Sequence, residues 1–385
     1  MIKSAKIYTG LAYFIIIAGI LGLLCSPSEA ISAAKNGIDM CVNIIIPSLF
    51  PFFVFSYLFI ETGLAKETGK IFEPLMRPVF NVNGSCSSAF FLGLLSGYPI
   101  GAKTAINLFK KGLCSKREAE RLLSFCNNSG PAFVLGSVGI GIWGRLDVGL
   151  LLYFSQIIAS IITGVLFGLF WKGKNQSITF KKEMTKDLSL TDAFVSGVKN
   201  SAVNILYICA FIIFFAVTIR LLFVYNIIPF TAGLLSGILK FIHIDNKSIE
   251  QLLSGFFELT TGIKYAYNAA PLAKNLALTG AILGWAGLSV HCQVLVFLHN
   301  SGLSTKPYIL GKFVQAVIGA AITYTAVMLF PFNKEVFSRF SVLMPSVNMS
   351  FLNVFFISIC IIAGFIILLT IFIIFFKNIF FLIKK

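Results

Sequence analysis

Apolar stretches of about 20 residues recur along this chain, with Lys and Arg in the segments between them. Hydrocarbon offers a backbone no water to bond, so such a stretch must close its own hydrogen bonds as a helix. Full spans read at Tyr8–Cys25, Met40–Ile60, Leu122–Trp143, Val148–Trp171, Lys199–Leu221, Leu276–Asn300, Tyr308–Phe330 and Leu352–Phe376. The composition agrees: 57% of residues are hydrophobic, 12% are charged and the mean hydropathy is +0.90, far from soluble domains. A length of 385 residues holds these spans and leaves no room for a large extra soluble domain. The fold class is an all-α polytopic membrane protein.

The net charge of +16 sits in loops between apolar runs, not in an aromatic-studded patch, so it reads as membrane topology and not as nucleic-acid binding. Lys3, Lys6, the loop with Lys66, Lys70 and Arg77, the cluster from Lys103 to Arg121, the loop from Lys172 to Lys199, Lys306 and the tail with Lys377, Lys384 and Lys385 fall on one side. Far fewer basic residues fall on the other, with Arg220 and Lys312 left at span ends. This bias puts both termini in the cytoplasm. Lys3 and Lys6 before Tyr8–Cys25 faintly suggest a leader, but the run is long for one and reads as an uncleaved first span. The eight cysteines are dispersed without C-x-x-C spacing and read as small core residues.

Some apolar runs are broken, and the breaks come in pairs. Leu94-Leu95-Ser96-Gly97 runs into Tyr98-Pro99-Ile100-Gly101-Ala102-Lys103, and Leu252-Leu253-Ser254-Gly255 runs into Phe256-Phe257-Glu258-Leu259-Thr260-Thr261-Gly262. These two read as re-entrant hairpins. Further on in each half a longer run is interrupted, by Asn127-Asn128-Ser129-Gly130-Pro131 and by Gly284-Trp285-Ala286-Gly287-Leu288-Ser289. Paired, interrupted segments at matching places point to a transporter's binding site. Asn43 and Asn204 lie in spans that would run in opposite directions, which makes the halves inverted repeats. The expected domains are an N-terminal segment 1–30, a first repeat 31–171, a cytoplasmic linker 172–198, a second repeat 199–331 and a C-terminal helix and basic tail 332–385.

Each break carries chemistry. Pro131 cannot donate to a helix ladder, so the helix should stop near Asn128 and restart at Pro131, aiming a positive helix N-terminus into the membrane. Asn127, Asn128 and Ser129 add donors and acceptors there, or satisfy carbonyls freed by a plain kink. In the first hairpin Ser96 and Gly97 suit a tight turn. Lys103 after it either meets an anionic substrate or snorkels to the interface. Glu258 costs about 2.5–3.5 kcal/mol inside a membrane, so it handles an ion or proton or pairs with a cation. Thr260 offers a hydroxyl to substrate or to its own helix. Ser289 and Gln293 share a helical face; His291 does not share it, and reads as a titrating group or a buried neutral one.

There is no G-x-x-x-x-G-K-[ST] and no H-E-x-x-H, so neither ATP hydrolysis nor metalloprotease chemistry is indicated, and no cofactor is expected. Together, Ser96 to Lys103, Glu118-Ala119-Glu120-Arg121-Leu122-Leu123 with Asn127 to Pro131, Gly255 to Gly262 and Gly287 to Gln293 resemble the YlbJ (SpoVV) family of sporulation integral membrane proteins, which carries the nucleoside recognition, or Gate, domain. The resemblance implies an architecture similar to concentrative nucleoside transporters and a place in the outer forespore membrane of a spore-forming bacterium. It also implies transport of dipicolinate, a small planar dianion. The expectation is therefore a secondary transporter and not an enzyme, with Ser96, Gly97, Lys103, Asn127, Asn128, Ser129, Glu258, Thr260, Ser289 and Gln293 around the substrate. A nucleoside or other metabolite as substrate, and a non-transporting sporulation scaffold, are the alternatives. The expected partners are a small anionic substrate and the bilayer, with a coupling proton or sodium, a homo-oligomer and a sporulation membrane partner left open.

Overall fold

A computed structural model describes residues 2–170, 190–238, 245–266 and 272–329. The expected C-terminal span Leu352–Phe376, the basic tail and most of the linker lie outside the described residues. Every regular element among the described residues is helical. Four helices are long and apolar enough to cross a membrane, and six spans result if two sharply bent pairs each count as one. The chain is an integral, multi-pass membrane protein.

Helix α1 (Ile2–Cys25) bends by 99° into α2 (Pro27–Met40), because Pro27 begins the new helix where its missing N–H costs nothing. A π-type turn at Cys41–Ile45 joins α2 to α3 (Ile46–Glu61). A second bend of 83° leads to α4 (Leu64–Phe80), which sequence analysis treats as a loop. Ala65, Gly69, Met76 and Phe80 are its buried residues, while Glu67 and Lys70 pair in the open at 2.7 Å. An amphipathic helix of this kind is too polar to register in a search for continuous apolar runs.

The first hairpin is α5 (Ser87–Ser96) and α6 (Ile100–Lys110), followed by α7 (Lys116–Leu123), a break, a π-helix (Ala132–Ile142) and the span α8 (Leu146–Phe170). The second half runs through α9 (Leu190–Val224), α10 (Ile227–Ile238), a hairpin of α11 (Asn246–Phe257) and α12 (Leu259–Ala266), the broken pair α13 (Leu272–Trp285) and α14 (Gly287–Leu298), and the span α15 (Lys306–Leu329). Both broken hairpins and both broken helices of the sequence reading are present.

Packing turns the ordinary soluble pattern inside out. Phe313 on α15 is 58% exposed while its neighbour Lys312 is fully buried, so the helix shows hydrocarbon to lipid and polarity to the bundle. On α1 and α9, Phe14, Leu24, Leu206 and Phe214 are exposed in the same way. Arg220, left at a span end by the loop charges, pairs with Glu29 at 2.6 Å and ties α9 to α2. The interior holds Phe80 stacked on Phe125 at 4.7 Å and tilted against Phe90 at 5.5 Å. It seats the break after α7 against the end of α4.

Candidate functional site

Each hairpin closes glycine on glycine. A Cβ on Gly101 would lie 3.0 Å from the Cα of Gly93, and Gly262 presses on Gly255 in the same manner. This equivalence sets the true register of the repeat. Gly255 matches Gly93 and sits inside α11, whereas Gly97 ends α5 and has Glu258 as its counterpart at the end of α11. The shared Leu-Leu-Ser-Gly is therefore out of register between the halves by about a helical turn.

Each hairpin tip touches the helix break of its own half. In the first, Gly97 has φ +89° and lies against Gly130; in the second, Gly287 has φ +81° and lies against Glu258 and Leu259. Between the two junctions is a cavity of about 110 Å³. Ser96, Gly97, Tyr98, Ser129, Gly130, Pro131, Glu258, Thr260, Ser289 and Gln293 supply its polar and backbone-rich side. Met40, Ile45, Leu49, Phe52, Ile208 and Ile212 supply an apolar wall from α2, the π-type turn, α3 and α9.

Of the residues expected around a substrate, Ser96, Gly97, Ser129, Glu258, Thr260, Ser289 and Gln293 come together at this cavity. The other three stand elsewhere. Asn127 and Asn128 are buried behind it, and Lys103 lines a separate small cavity with Phe53, Ser56, Tyr57 and Asn107. The Lys103 ammonium rests over the rings of Phe53 and Phe297 at 5.0 and 5.1 Å.

Glu258 is 7% exposed and is a helix cap. One carboxylate oxygen accepts from the Thr260 amide at 2.9 Å, and the other from the Thr261 amide at 2.7 Å and the Thr261 hydroxyl at 2.9 Å. Its carboxylate thus faces the positive end of α12, and among the described residues no basic side chain pairs with it. The buried hydroxyl oxygens of Ser96 and Ser129 have no hydrogen-bond partner among the described residues, though Ser129 lies beside the Tyr98 hydroxyl. The Tyr98 hydroxyl donates to the carbonyl of Leu283 and so links the two halves.

Behind the cavity lies a polar network. The Asn128 amide nitrogen donates to the Phe125 carbonyl at 2.9 Å and to the Ser160 hydroxyl at 3.2 Å, and its oxygen accepts from Gln315 at 2.6 Å. Lys312 donates to the Asn127 carbonyl and to the Gln315 side-chain oxygen, both at 2.8 Å. His291 shares a hydrogen bond of 2.9 Å with the Tyr308 hydroxyl, and its ring stands edge-on to Trp285. In the sequence Lys312 stands at the end of an expected span, and Gln315 carries no expected role. The signal for both was present: Tyr308, Lys312, Gln315, Gly319 and Thr323 recur at spacings of three and four along an apolar span and form its buried stripe.

Two hairpin tips and two helix breaks closing on one cavity define a polytopic membrane protein built on paired, interrupted helices. Residues 42–169 match the family described as Gate, nucleoside recognition. The chain is also 29% identical over 316 residues to the sporulation integral membrane protein YlbJ of Bacillus subtilis (strain 168), covering 77% of this chain and 78% of that protein. The kinship read from the motifs therefore stands as a similarity: residues 42–169 match the Gate model, and the chain resembles YlbJ over most of its length. A solved structure of the concentrative nucleoside transporter CNTnw, in an outward-facing state, covers 82% of this chain and 87% of that one with 14% identity and a TM-score of 0.48.

Proposed function

We infer that the protein is a secondary transporter of a small organic anion, dipicolinate, across the outer forespore membrane during sporulation. The observation that carries this reading is the convergence of four chain breaks on one cavity where, among the described residues, the buried Ser96 hydroxyl has no partner and the Ser129 hydroxyl has only the Tyr98 hydroxyl beside it. An unmet buried hydroxyl costs about 1–3 kcal/mol, and a polar ligand would recover it. The π-helix after Pro131 and helix α14 after Gly287 both start at the cavity, and helix N-termini favour anions. The similarity to YlbJ supplies the sporulation setting. No catalytic step is assigned to any residue. The termini are cytoplasmic in this reading, and repeats 31–171 and 199–331 rock against one another around the cavity.

One observation favours a nucleoside instead. Glu258 brings a carboxylate to the cavity wall, where it would repel a dianion and accept hydrogen bonds from a sugar. Size weighs the other way. A cavity of about 110 Å³ lies well under the roughly 300–1,000 Å³ of sites for drug-sized ligands, and dipicolinate is the more compact of the two.

Thermal stabilisation of the purified protein by dipicolinate, beside benzoate, phthalate, uridine and adenosine, tests the reading. A saturable shift with dipicolinate, stronger than with the single carboxylate of benzoate, is expected. A shift with the nucleosides alone would replace the substrate; no shift with any of them would leave a scaffold.

A further inference from the structure

Lys312 is the buried charge that the cavity does not explain. It lies inside α15, not at its end, and its side chain is fully enclosed. Two of its N–H bonds go to the Asn127 carbonyl and the Gln315 amide oxygen, and the ammonium lies 5.3 Å from the centre of the Tyr98 ring. Such a set of neutral oxygens around a positive charge is what a broken membrane helix offers a metal cation: a carbonyl freed from the ladder plus a side-chain amide. Here the cation is covalently part of the chain.

No carboxylate stands against it among the described residues. On α7, Glu118 accepts from Asn83 and Ser115, and Glu120 accepts from the Ser304 amide. On α8, Asp147 pairs with Arg145. Helix α13 has no acidic residue, and Glu258 is held by Thr260 and Thr261. The titratable groups facing Lys312 are Cys126 from the break, His291 from α14, Tyr98 from the hairpin tip and Tyr308 one turn earlier on α15. All four are neutral in their ordinary form, so a proton on Lys312 is a net buried charge.

We propose that Lys312 is the proton-coupling group of this protein, its ammonium filling the position at the helix break that a metal coupling ion would otherwise take, so that transport runs on protons and not on sodium. This rests on the transporter reading above. When charged, Lys312 clamps Asn127 to α15 and holds the first hairpin tip closed through Gly130 against Gly97. Deprotonation breaks one Nζ–H bond and leaves the electron pair on nitrogen. The proton passes to water admitted from the cavity beside Tyr98, which belongs both to the cavity wall and to the surroundings of Lys312. The neutral amine holds the Asn127 carbonyl less strongly, and the break is free to move.

Two measurements on the full chain in lipid vesicles test this. In the first, dipicolinate and uridine uptake are followed under an imposed proton gradient and, separately, a sodium gradient. Accumulation under the proton gradient, unchanged when choline replaces sodium, is expected, and Lys312→Gln should lose accumulation while keeping substrate exchange. Accumulation driven by sodium, or a proton response preserved in Lys312→Gln, would overturn the proposal. If the wild-type protein neither accumulates nor exchanges any substrate, the transporter reading itself fails.

The second measurement does not depend on transport. A cysteine placed at Leu95 in the cavity is alkylated with a maleimide, against the parent protein as background. Its rate, divided at each pH by that of the same cysteine in the denatured protein to remove the thiolate fraction, should rise from acidic to alkaline buffer, lose that dependence in Lys312→Met, and stay low at every pH in Gln315→Glu, where a carboxylate holds the lysine charged. A rate that ignores pH in the parent background, or one that follows pH equally in Lys312→Met, overturns the proton role. Gln315→Glu keeps the site's shape and serves where Lys312→Met fails to fold.

Discussion

Gly97 and Gly130 meet backbone to backbone: a Cβ on Gly97 would lie 2.6 Å from the Gly130 nitrogen, and one on Gly130 would lie 2.8 Å from the Ser96 carbonyl oxygen. Gly97 also has φ +89° and ψ −169°, a conformation only glycine adopts freely. Both positions therefore exclude a side chain. Gly97→Ala is expected to cost about 1–3 kcal/mol through backbone strain alone, with the close approach adding to it. Gly136→Ala is the control, since nothing lies within 4 Å of its added methyl. Thermal inactivation in detergent should separate the two; equal midpoints would mean that the tip and the break are not packed together.

Glu258→Gln separates two roles of one side chain. The amide oxygen can still cap α12 but no longer carries the charge, so a loss of about 0.5–2 kcal/mol in stability is expected. Ligand affinity should move in the opposite sense. Removing a negative charge from the wall strengthens dipicolinate binding if the ligand is a dianion, and calorimetry on the variant reads this directly. Unchanged dipicolinate binding together with weakened uridine binding would show that Glu258 accepts from the ligand, as a nucleoside site requires.

The presence of the breaks was legible because their causes are local, although α7 already ends at Leu123 and not near Asn128, where the proline alone would stop it. Pro131 lacks an N–H, and Gly97 and Gly287 take backbone angles that side chains resist, so each breaks a helix from its own sequence. The register of the repeat was not legible in the same way. Leu-Leu-Ser-Gly occurs in both halves, yet the shape they share is set by Gly93 on Gly101 and Gly255 on Gly262, contacts across a hairpin that no run of adjacent residues encodes. The same limit applied to Lys103 and Lys312. Both are lysines next to apolar stretches; only the packing of α15 against the break at Asn127 distinguishes the lysine bonded there from the one lodged between Phe53 and Phe297.

That distinction is itself testable. Lys103 is held by two aromatic faces and borders a different cavity, so Lys103→Met should keep the dipicolinate-induced thermal shift of the wild-type protein. The stability lost should be small, about 0.5–2 kcal/mol for the cation–π contacts. Abolished ligand stabilisation in a normally folded Lys103→Met would bring this lysine into the binding site after all.

Asn128 reaches the cavity only through its neighbours, which makes it a positioning residue. Its amide nitrogen holds the Phe125 carbonyl freed by the end of α7, and its oxygen receives Gln315 from α15. Asn128→Ala leaves the Gln315 donor without its partner in a buried site, at about 1–3 kcal/mol, while the Phe125 carbonyl still accepts from the Ser160 hydroxyl at 2.7 Å. Gln315→Leu removes the other end of the bond and one acceptor of Lys312. If the network acts as a unit, the double variant should be more stable than the two single losses added together, with a coupling of about 0.5–3 kcal/mol. Additive losses would mean that Asn128 and Gln315 stabilise the break independently, and the hydrogen bond between them would then carry no share of the closed state.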